Sequence, residues 1–334
     1  MAQDTELLLD VQNLSVSFQY KKKAYNVVRN VDFQIRKNEI LGIVGESGSG
    51  KSVMSKAILR LIPEPPGHIQ TGSILFHNTD LLKLKKSEMY SIRGNHISMI
   101  FQEPMTSLNP VYTCGDQISE AIILHQHLNK HEAKQKALEM LARVKIPFPE
   151  KRYYSYPYEM SGGMRQRVMI AIALSCSPEL LIADEPTTAL DPTIQAQILA
   201  LMKQLQKENE MSIMLITHDL GVVAECCSRV IVMYCGMVME EAGSHEIFHK
   251  PLHPYTQGLL KAIPQIRENV DRLYTIKDSV PHFTEFPSGC PFRTRCPFTC
   301  PACEEENIKM NFLDNGHATR CVRYKELLTG ELRI

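Results

Sequence analysis

The sequence of 334 residues has no excess of charge of either sign, no long apolar run and no leader-like start. Lys plus Arg and Asp plus Glu each number 37, and this balance excludes the strongly basic surface typical of nucleic-acid-binding proteins. The 44% hydrophobic and 22% charged residues exclude a disordered chain. No stretch approaches the roughly 18–20 apolar residues that a membrane-spanning helix needs. Residues 1–10 are acidic and lack the basic-then-apolar order of a signal peptide, so we expect a cytosolic protein.

Cysteine is too sparse for a disulfide scaffold, but its distribution is uneven. Of the ten cysteines, five lie between residues 290 and 321, among prolines. A cytosolic protein keeps thiols reduced, so this group suggests a soft-metal site, zinc or iron–sulfur, with a metal-free tail as the alternative. Only Cys300 and Cys303 have the close spacing of a zinc-site pair. The other cysteines show no ligand spacing and are predicted to be core or surface residues: Cys114, Cys176, Cys226, Cys227 and Cys235.

Two kinds of apolar pattern predict an α/β fold. Residues 14–18 and 31–35 alternate apolar and polar side chains, which indicates half-buried strands. Residues 40–44, 180–183 and 213–216 are short continuous apolar runs, which indicate strands covered on both faces of a parallel sheet. Each of these runs is followed by small or polar residues, and ligands of open α/β sheets bind beyond such carboxyl ends.

A glycine-rich run after the first continuous strand carries the strongest functional signal. It fits the phosphate-loop pattern G-x-x-x-x-G-K-[ST] in full and opens an amphipathic helix, although a simple turn before a helix is the alternative. Its glycines let the backbone wrap phosphate groups, so that N–H groups and the helix N-terminus face anionic oxygens. Lys51 would bind the β- and γ-phosphates, and the Ser52 hydroxyl would bind Mg²⁺. The candidate nucleotide-binding residues are Gly45, Glu46, Ser47, Gly48, Ser49, Gly50, Lys51 and Ser52.

Two carboxylates end the second continuous strand. Asp184 and Glu185 follow residues 180–183, and paired carboxylates at a strand end suit Mg²⁺ and an activated water. Because an equivalent aspartate holds Mg²⁺ in phosphate-loop NTPases, Asp184 is the predicted metal ligand, and Glu185 is then predicted to polarise the attacking water. A solvated acidic pair at a strand end is the alternative.

A Ser-Gly-Gly run before a helix narrows the class of phosphate-loop protein. Residues 160–167, with the sequence MSGGMRQR, resemble the signature of ATP-binding cassette (ABC) ATPases. In that family the run, here Ser161, Gly162 and Gly163, faces the γ-phosphate held by a second cassette. Two cassettes therefore close head-to-tail around two ATP molecules. Asp191 resembles the D-loop residue that contacts the opposite cassette.

The resemblance also implies roles for residues elsewhere in the chain. Gln102 resembles the Q-loop glutamine that senses Mg²⁺ and the nucleophilic water. His218 resembles the switch histidine that hydrogen-bonds the γ-phosphate. Phe18 is the predicted adenine-stacking aromatic, with Tyr20 and Tyr25 as alternatives.

Three residues depart from the family pattern. Met164 stands where the signature usually has Gln, Met160 where Leu is usual, and Val53 where a second hydroxyl often follows Ser52. None of these changes removes a charge or a metal ligand, so we expect an active ATPase. The change at Met164 removes one polar contact and allows the two composite ATP sites to differ.

Two further segments resemble the ATPases of bacterial peptide and nickel importers. They are residues 101–110, FQEPMTSLNP, and residues 253–257, HPYTQ. The resemblance implies uptake of dipeptides or oligopeptides, with nickel chelates, antimicrobial peptides and glutathione as alternative substrates. It implies as partners a second, related but non-identical ATPase, two integral-membrane permease subunits and a periplasmic substrate-binding protein, at the cytoplasmic face of the bacterial inner membrane. A soluble ABC protein that remodels nucleic acid or ribosomes is the alternative of another class; the neutral charge argues against it, and we expect no nucleic-acid partner.

The same resemblance interprets the cysteine group. Peptide-importer ATPases have a tail with cysteines at a similar spacing, and in members of that subclass four of them hold a [4Fe–4S] cluster. The matching residues are Cys290, Cys296, Cys303 and Cys321, and Cys300 is the extra thiol. We therefore expect ATP, Mg²⁺ and a [4Fe–4S] cluster as bound groups.

Together these features predict an α/β protein with two parts. Residues 1–265 are expected to form an ABC-type phosphate-loop NTPase with a RecA-like parallel sheet, an antiparallel β subdomain and a helical signature subdomain over about 103–177. Residues 266–334 are expected to form a small Cys-rich C-terminal extension.

Overall fold

The computed structural model describes residues 6–102, 107–188, 190–263 and 274–334. The strands are β1 (Leu7–Tyr20), β2 (Lys23–Arg36), β3 (Ile40–Val44), β4 (Gly67–Phe76), β5 (Thr79–Asp80), β6 (Ile97–Ile100), β7 (Leu180–Asp184), β8 (Ser212–Thr217), β9 (Arg229–Tyr234), β10 (Met237–Gly243), β11 (Asn311–Phe312) and β12 (Ala318–Thr319). The α-helices are α1 (Lys51–Ile58), α2 (Lys86–Ile92), α3 (Cys114–Gln126), α4 (Lys130–Arg143), α5 (Pro149–Tyr153), α6 (Gly162–Leu174), α7 (Pro192–Glu208), α8 (Leu220–Cys226), α9 (Ser244–His249), α10 (Pro254–Lys261) and α11 (Tyr324–Thr329).

The described residues group into two compact units, and each is treated separately below. The first unit consists of residues 6–8, Ile35–Glu39 and the described part of Leu81–Ile216. The second consists of Leu9–Gln34, Ile40–Asp80 and the described part of Thr217–Ile334. The predicted boundary between residues 265 and 266 lies outside the described residues, so the domain division stays a prediction.

The first unit contains a parallel sheet in the order β6-β7-β8. Ile100 is in register with Ala183, and Asp184 with Ile216. Every residue of β7 and β8 is buried, which confirms that the apolar runs 180–183 and 213–216 are strands covered on both faces. The carboxyl end of β7 therefore places Asp184 and Glu185 at the edge where such sheets bind ligands.

The helices of the first unit are defined by local capping signals. Helix α4 begins at a capping box, in which Asn129 accepts from the N–H of Glu132 and the Glu132 carboxylate accepts from the N–H of Asn129. Helix α3 packs closely on α5, and a Cβ on Gly115 would lie 2.2 Å from the ring of Tyr153. Helices α3–α6 occupy much of the stretch 103–177 that the sequence predicts to be helical.

The second unit contains an antiparallel sheet in the order β2-β1-β4-β5. Residues 31–35 alternate between buried and exposed, as predicted. Residues 14–18 do not alternate, because Ser15 and Ser17 are buried as well as their apolar neighbours. The Ser15 hydroxyl donates to the Asn30 side chain at 2.9 Å and accepts from the Asn30 N–H at 3.1 Å, so its burial leaves no polar group unsatisfied.

The remaining strands of this unit include the parallel pair β3 and β9 and the strands of the C-terminal extension, residues 266–334, called the tail below. Strand β9 turns into β10 through Cys235 and Gly236, both with positive φ (46° and 78°), as a tight hairpin requires. Strand β12 of the tail pairs with β10, and β11 pairs with β12. The tail is thereby part of the packed unit. Within the part of the chain that the structure describes, no helix is long and apolar enough to cross a bilayer.

Candidate functional site

The phosphate loop lies between β3 and α1 in the second unit, and its glycines have the conformations that wrapping requires. Gly50 has φ of +95° and immediately precedes helix α1. A Cβ on Gly45 would lie 2.2 Å from the carbonyl oxygen of Met233, so only glycine fits there. Gly48 also has positive φ, and no other atom lies within 4 Å of where its Cβ would be. The loop therefore has an open tip, residues 47 and 48, above a tightly packed base.

The phosphate-loop lysine is buried against its own loop. Lys51 Nζ donates to the carbonyl oxygens of Gly45 at 2.6 Å and Glu46 at 3.0 Å, and lies 3.2 Å from the Ser49 hydroxyl. The Ser49 carbonyl accepts from the N–H of Gly236 at 2.8 Å, which ties the loop to the β9–β10 turn. Ser52 is in the first turn of α1. The loop thus presents a helix N-terminus and a buried cation, the two features that bind anionic phosphates.

In the first unit, the predicted catalytic glutamate is held by two side chains. Glu185 Oε2 accepts hydrogen bonds from Gln102 Nε2 and from the Thr188 hydroxyl, each at 2.9 Å. Its backbone N–H donates to the Ile216 carbonyl at 2.9 Å, and its φ is +47°, a strained value for a residue with a side chain. The structure therefore brings together Gln102 and Glu185, which the sequence places 83 residues apart.

Thr188 is a site residue that the sequence analysis missed. Its hydroxyl donates to the carboxylate of Glu185, the predicted base, which lies three residues earlier in the sequence. A hydroxyl residue three positions after a strand-end carboxylate is the signal that could have identified it.

The signature run opens helix α6 in the first unit. Ser161 caps the helix by accepting from the N–H of Met164 at 3.3 Å, and Gly162 and Gly163 form the first turn. A Cβ on Gly163 would lie 2.8 Å from Ile194 Cγ2, so the run packs closely on the start of α7. Asp191 caps α7, because its side chain accepts from the Ile194 N–H at 3.0 Å. The signature and D-loop residues are therefore neighbours, and their proposed contacts with a second cassette stay predictions.

The switch histidine and the aromatic candidates lie in the second unit. His218 is exposed at the end of β8, just before Asp219 caps α8. Phe18 is half-buried and pairs with Gly67 across the antiparallel sheet. Tyr20 and Tyr25 instead pack edge-on against Phe283 of the tail, with ring centroids 6.0 Å apart in each pair. The adenine-stacking role of Phe18 stays a prediction.

The expectation of a [4Fe–4S] cluster is wrong. In the described ranges, interrupted at 103–106, 189 and 264–273, no group of three or more His, Cys, Asp or Glu side chains is arranged to hold a metal ion. The cysteines predicted as ligands do border one cavity, but its volume is about 10 Å³, which is room for about one water molecule. Burial also raises the pKa of the thiols, to about 12 for Cys290, about 11 for Cys296 and about 12 for Cys321. In this arrangement burial favours the protonated thiol over the thiolate that a metal ligand requires.

The predicted Mg²⁺ ligands have the chemistry that this ion prefers. Ser52, Gln102 and Asp184 offer a hydroxyl, an amide oxygen and a carboxylate, and hard oxygen donors of this kind suit Mg²⁺. Because Gln102 donates through its amide nitrogen to Glu185, its amide oxygen is the atom that would bind the ion. Asp184 is buried at the end of β7. The joint use of residues from both units in one ATP site stays a prediction.

Among phosphate-loop folds, a serine-capped Ser-Gly-Gly helix that precedes paired strand-end carboxylates is the arrangement of ATP-binding cassettes. Residues 28–188 match the family model described as ABC transporter, and residues 239–303 match the one described as oligopeptide/dipeptide transporter, C-terminal region. The chain is 52% identical over 319 residues to the oligopeptide transport ATP-binding protein AppD of Bacillus subtilis (strain 168), covering 96% of this chain and 97% of that protein. It is 47% identical over 314 residues to the dipeptide transport ATP-binding protein DppD of Escherichia coli (strain K12), covering 94% and 96%.

Solved structures agree with this similarity. The ATP-binding cassette MJ0796 in a dimeric post-hydrolysis state bound to ADP and Pi has a TM-score of 0.64 and 28% identity, covering 71% of this chain and 99% of that one. CbiO1 from Clostridium perfringens, part of the ABC transporter complex CbiONQ, has a TM-score of 0.63 and 27% identity, covering 74% and 93%. The chain belongs to the family of ABC transporter ATP-binding proteins and is an ABC ATPase. The predicted family and fold are confirmed.

Proposed function

We propose that this chain is the ATP-hydrolysing subunit of a bacterial importer for dipeptides or oligopeptides. The observation that carries the proposal is the similarity over nearly the whole chain to proteins named for oligopeptide and dipeptide transport, tail included. A cassette does not touch the transported molecule, so the substrate assignment rests on these similarities, including the match of residues 239–303 to the oligopeptide/dipeptide transporter C-terminal region. Nickel chelates, antimicrobial peptides and glutathione are the alternative substrates.

Hydrolysis would use the side chains that meet at the end of β7. Glu185 would take a proton from water as the water oxygen bonds to the γ-phosphorus and the bond to the β–γ bridging oxygen breaks, releasing ADP and phosphate. Gln102 and Thr188 support this role, because both donate to the same carboxylate oxygen and so orient it. Lys51 would neutralise charge on the β- and γ-phosphates, and His218 would hydrogen-bond the γ-phosphate. Mg²⁺ held by Ser52, Gln102 and Asp184 would neutralise charge that develops on the phosphate oxygens.

Coupling to transport would require partners. Ser161, Gly162 and Gly163 open a helix whose N-terminus suits the γ-phosphate of ATP bound by a second cassette, which we propose to be a related, non-identical chain. The exposed side chains of Val111 and Tyr112 follow the segment 103–106 and offer an apolar surface to a helix of a permease subunit. We place the chain at the cytoplasmic face of the inner membrane, held there by two permease subunits, with a periplasmic binding protein delivering the peptide.

The proposal is tested by reconstitution. The chain would be copurified with its membrane partners, identified by mass spectrometry, and placed in lipid nanodiscs with the binding protein. We expect dipeptides or pentapeptides to stimulate ATP hydrolysis severalfold and the Lys51→Ala variant to show no stimulation. Stimulation by a nickel chelate or by glutathione but not by peptides would overturn the substrate assignment. Copurification with nucleic acid or ribosomes, without membrane subunits, would overturn the transport function.

A further inference from the structure

The tail reaches into the phosphate loop through one arginine. Arg295 Nη1 lies 2.6 Å from Glu46 Oε2, and Arg295 Nη2 lies 3.1 Å from Glu46 Oε1. The two residues are 249 positions apart in the sequence. This is a two-point ion pair between parallel donors and both carboxylate oxygens, the geometry that makes an arginine–carboxylate pair strong and directional.

The Arg295 side chain is buried and makes several further hydrogen bonds. Its side chain is only 3% exposed, and it donates to the carbonyl oxygens of Lys277 at 2.8 Å and Asp278 at 2.9 Å. Nη1 also lies 3.3 Å from the Tyr234 hydroxyl. Burial by itself lowers the pKa of Arg295, but the hydrogen bond and the charge of Glu46, with Tyr234, outweigh it and leave the pKa above its ordinary value. The guanidinium is therefore a permanent charge with a fixed direction.

A second residue far along the chain, Tyr255, contacts the backbone of the same loop position. The Glu46 N–H donates to the Tyr255 hydroxyl at 2.8 Å. Tyr255 is fully buried and packs on the rings of Tyr234 and Phe292, with centroids 4.7 and 5.2 Å away. Glu46 is thus held at both its backbone and its side chain.

The charge of Glu46 explains why such a hold is needed. A carboxylate at the second position of a loop that binds a triphosphate repels the ligand, and the Glu46 side chain is 28% exposed. An arginine that pairs with both oxygens cancels this charge and fixes the carboxylate in one direction. We propose that Arg295 is a positioning residue for ATP binding, because it neutralises and holds Glu46 so that the loop accepts the triphosphate. The inference rests on the ATP site proposed above and is independent of the transported substrate.

Charge variants of the full chain test the inference through the KM for ATP and the binding of a fluorescent ATP analogue. We expect Arg295→Gln to raise the KM for ATP by about tenfold while kcat changes by less than about twofold. Glu46→Gln is measured alongside as the reference for the double variant. The double variant Arg295→Gln/Glu46→Gln should return the KM to within about twofold of the wild type, because the unpaired carboxylate is then absent.

Arg293 provides the matched control. It lies two positions away in the same tail and pairs with Glu304 of the tail at 3.1 Å, without a contact to Glu46 among its hydrogen bonds. Arg293→Gln should leave the KM unchanged. A double variant that keeps the raised KM, or an Arg295→Gln variant with a normal KM, would refute the proposal. If Arg295→Gln does not fold, Arg295→Met, which also removes the charge, takes its place, and a KM below twice that of the wild type would equally refute the proposal. Among these variants we expect only Lys51→Ala to lose ATP binding. If Lys51→Ala still bound ATP, the assignment of the ATP site itself would be wrong.

Discussion

His253 should make the protein sensitive to acid over a defined pH range. Its ring is 1% exposed, and Nδ1 accepts from the Tyr255 N–H at 3.1 Å, which caps helix α10. Burial, with a smaller effect from the positive charge of Arg320, lowers the pKa of His253 from 6.5 to about 3. Protonation of Nδ1 would also remove the acceptor that caps the helix.

The sign of the effect follows from which state takes up the proton first. Below pH 6.5 the unfolded chain protonates His253 while the folded chain does not. The free energy of unfolding therefore has its full value above about pH 6.5 and falls as the pH is lowered from 6.5 to about 3. At pH 5 the unfolded state is almost fully protonated at this residue. The shift of 1.5 pH units below the unfolded pKa corresponds to a loss of about 2 kcal/mol relative to pH 7.5.

The test replaces His253 with Asn, which keeps a capping acceptor but does not titrate. Because the chain has no tryptophan, urea unfolding would be followed by circular dichroism at pH 7.5 and pH 5.0. His253→Asn should be less stable at both pH values, since it is smaller, but should lose about 2 kcal/mol less than the wild type on acidification. His245→Asn, at a side chain that is 73% exposed, should keep the wild-type pH dependence. If His253→Asn also keeps it, the buried imidazole does not stay neutral and the reasoning is refuted.

Three further predictions concern the catalytic turn and the loop base. Glu185→Gln should lower kcat by about 10²–10⁴-fold without a large change in the KM for ATP, and it should accumulate a closed ATP-bound dimer, measured by gel filtration; wild-type rates would exclude the role as general base. Thr188→Val removes the 2.9 Å bond to Glu185 and should lower kcat about tenfold, whereas Thr188→Ser should retain most activity in the same ATPase assay. Gly236→Ala, whose Cβ would lie 2.1 Å from the Val27 carbonyl oxygen at a φ of +78°, should lower the free energy of unfolding by about 2–4 kcal/mol. Gly316→Ala, at a φ of +79° with open space around it, should cost only about 1 kcal/mol, and equal losses in the two variants would show that the clash is relieved.

Structural features that depend on residues close together in the sequence could be predicted from the sequence alone. The phosphate loop, residues 45–52, depends on glycines and a lysine within eight positions, and its backbone conformation follows from them. The buried strands 180–183 and 213–216 follow from continuous apolar runs. Local steric preference and burial are sufficient for both.

Alternation was a weaker guide where polar side chains satisfy one another. Residues 14–18 predict one exposed face, yet Ser15 is buried because Asn30 of the neighbouring strand supplies its hydrogen bonds. The predicted [4Fe–4S] cluster came from the resemblance of the tail cysteines to those of peptide-importer ATPases, which takes no account of how the thiols pack. The structure places Cys290, Cys296, Cys303 and Cys321 around a cavity with room for about one water molecule.

The chain has 37 residues of each charge sign, and this total does not show which charged side chains contact each other. The pairing of Glu46 with Arg295 depends on the path of the chain through its folded unit. This contact has no sequence period or motif, because a hydrogen bond requires atoms within about 3 Å in space and sets no condition on their separation along the chain. The residues predicted to bind phosphate can therefore be read from the sequence, whereas the pairing of Arg295 with Glu46 is seen only in the folded structure.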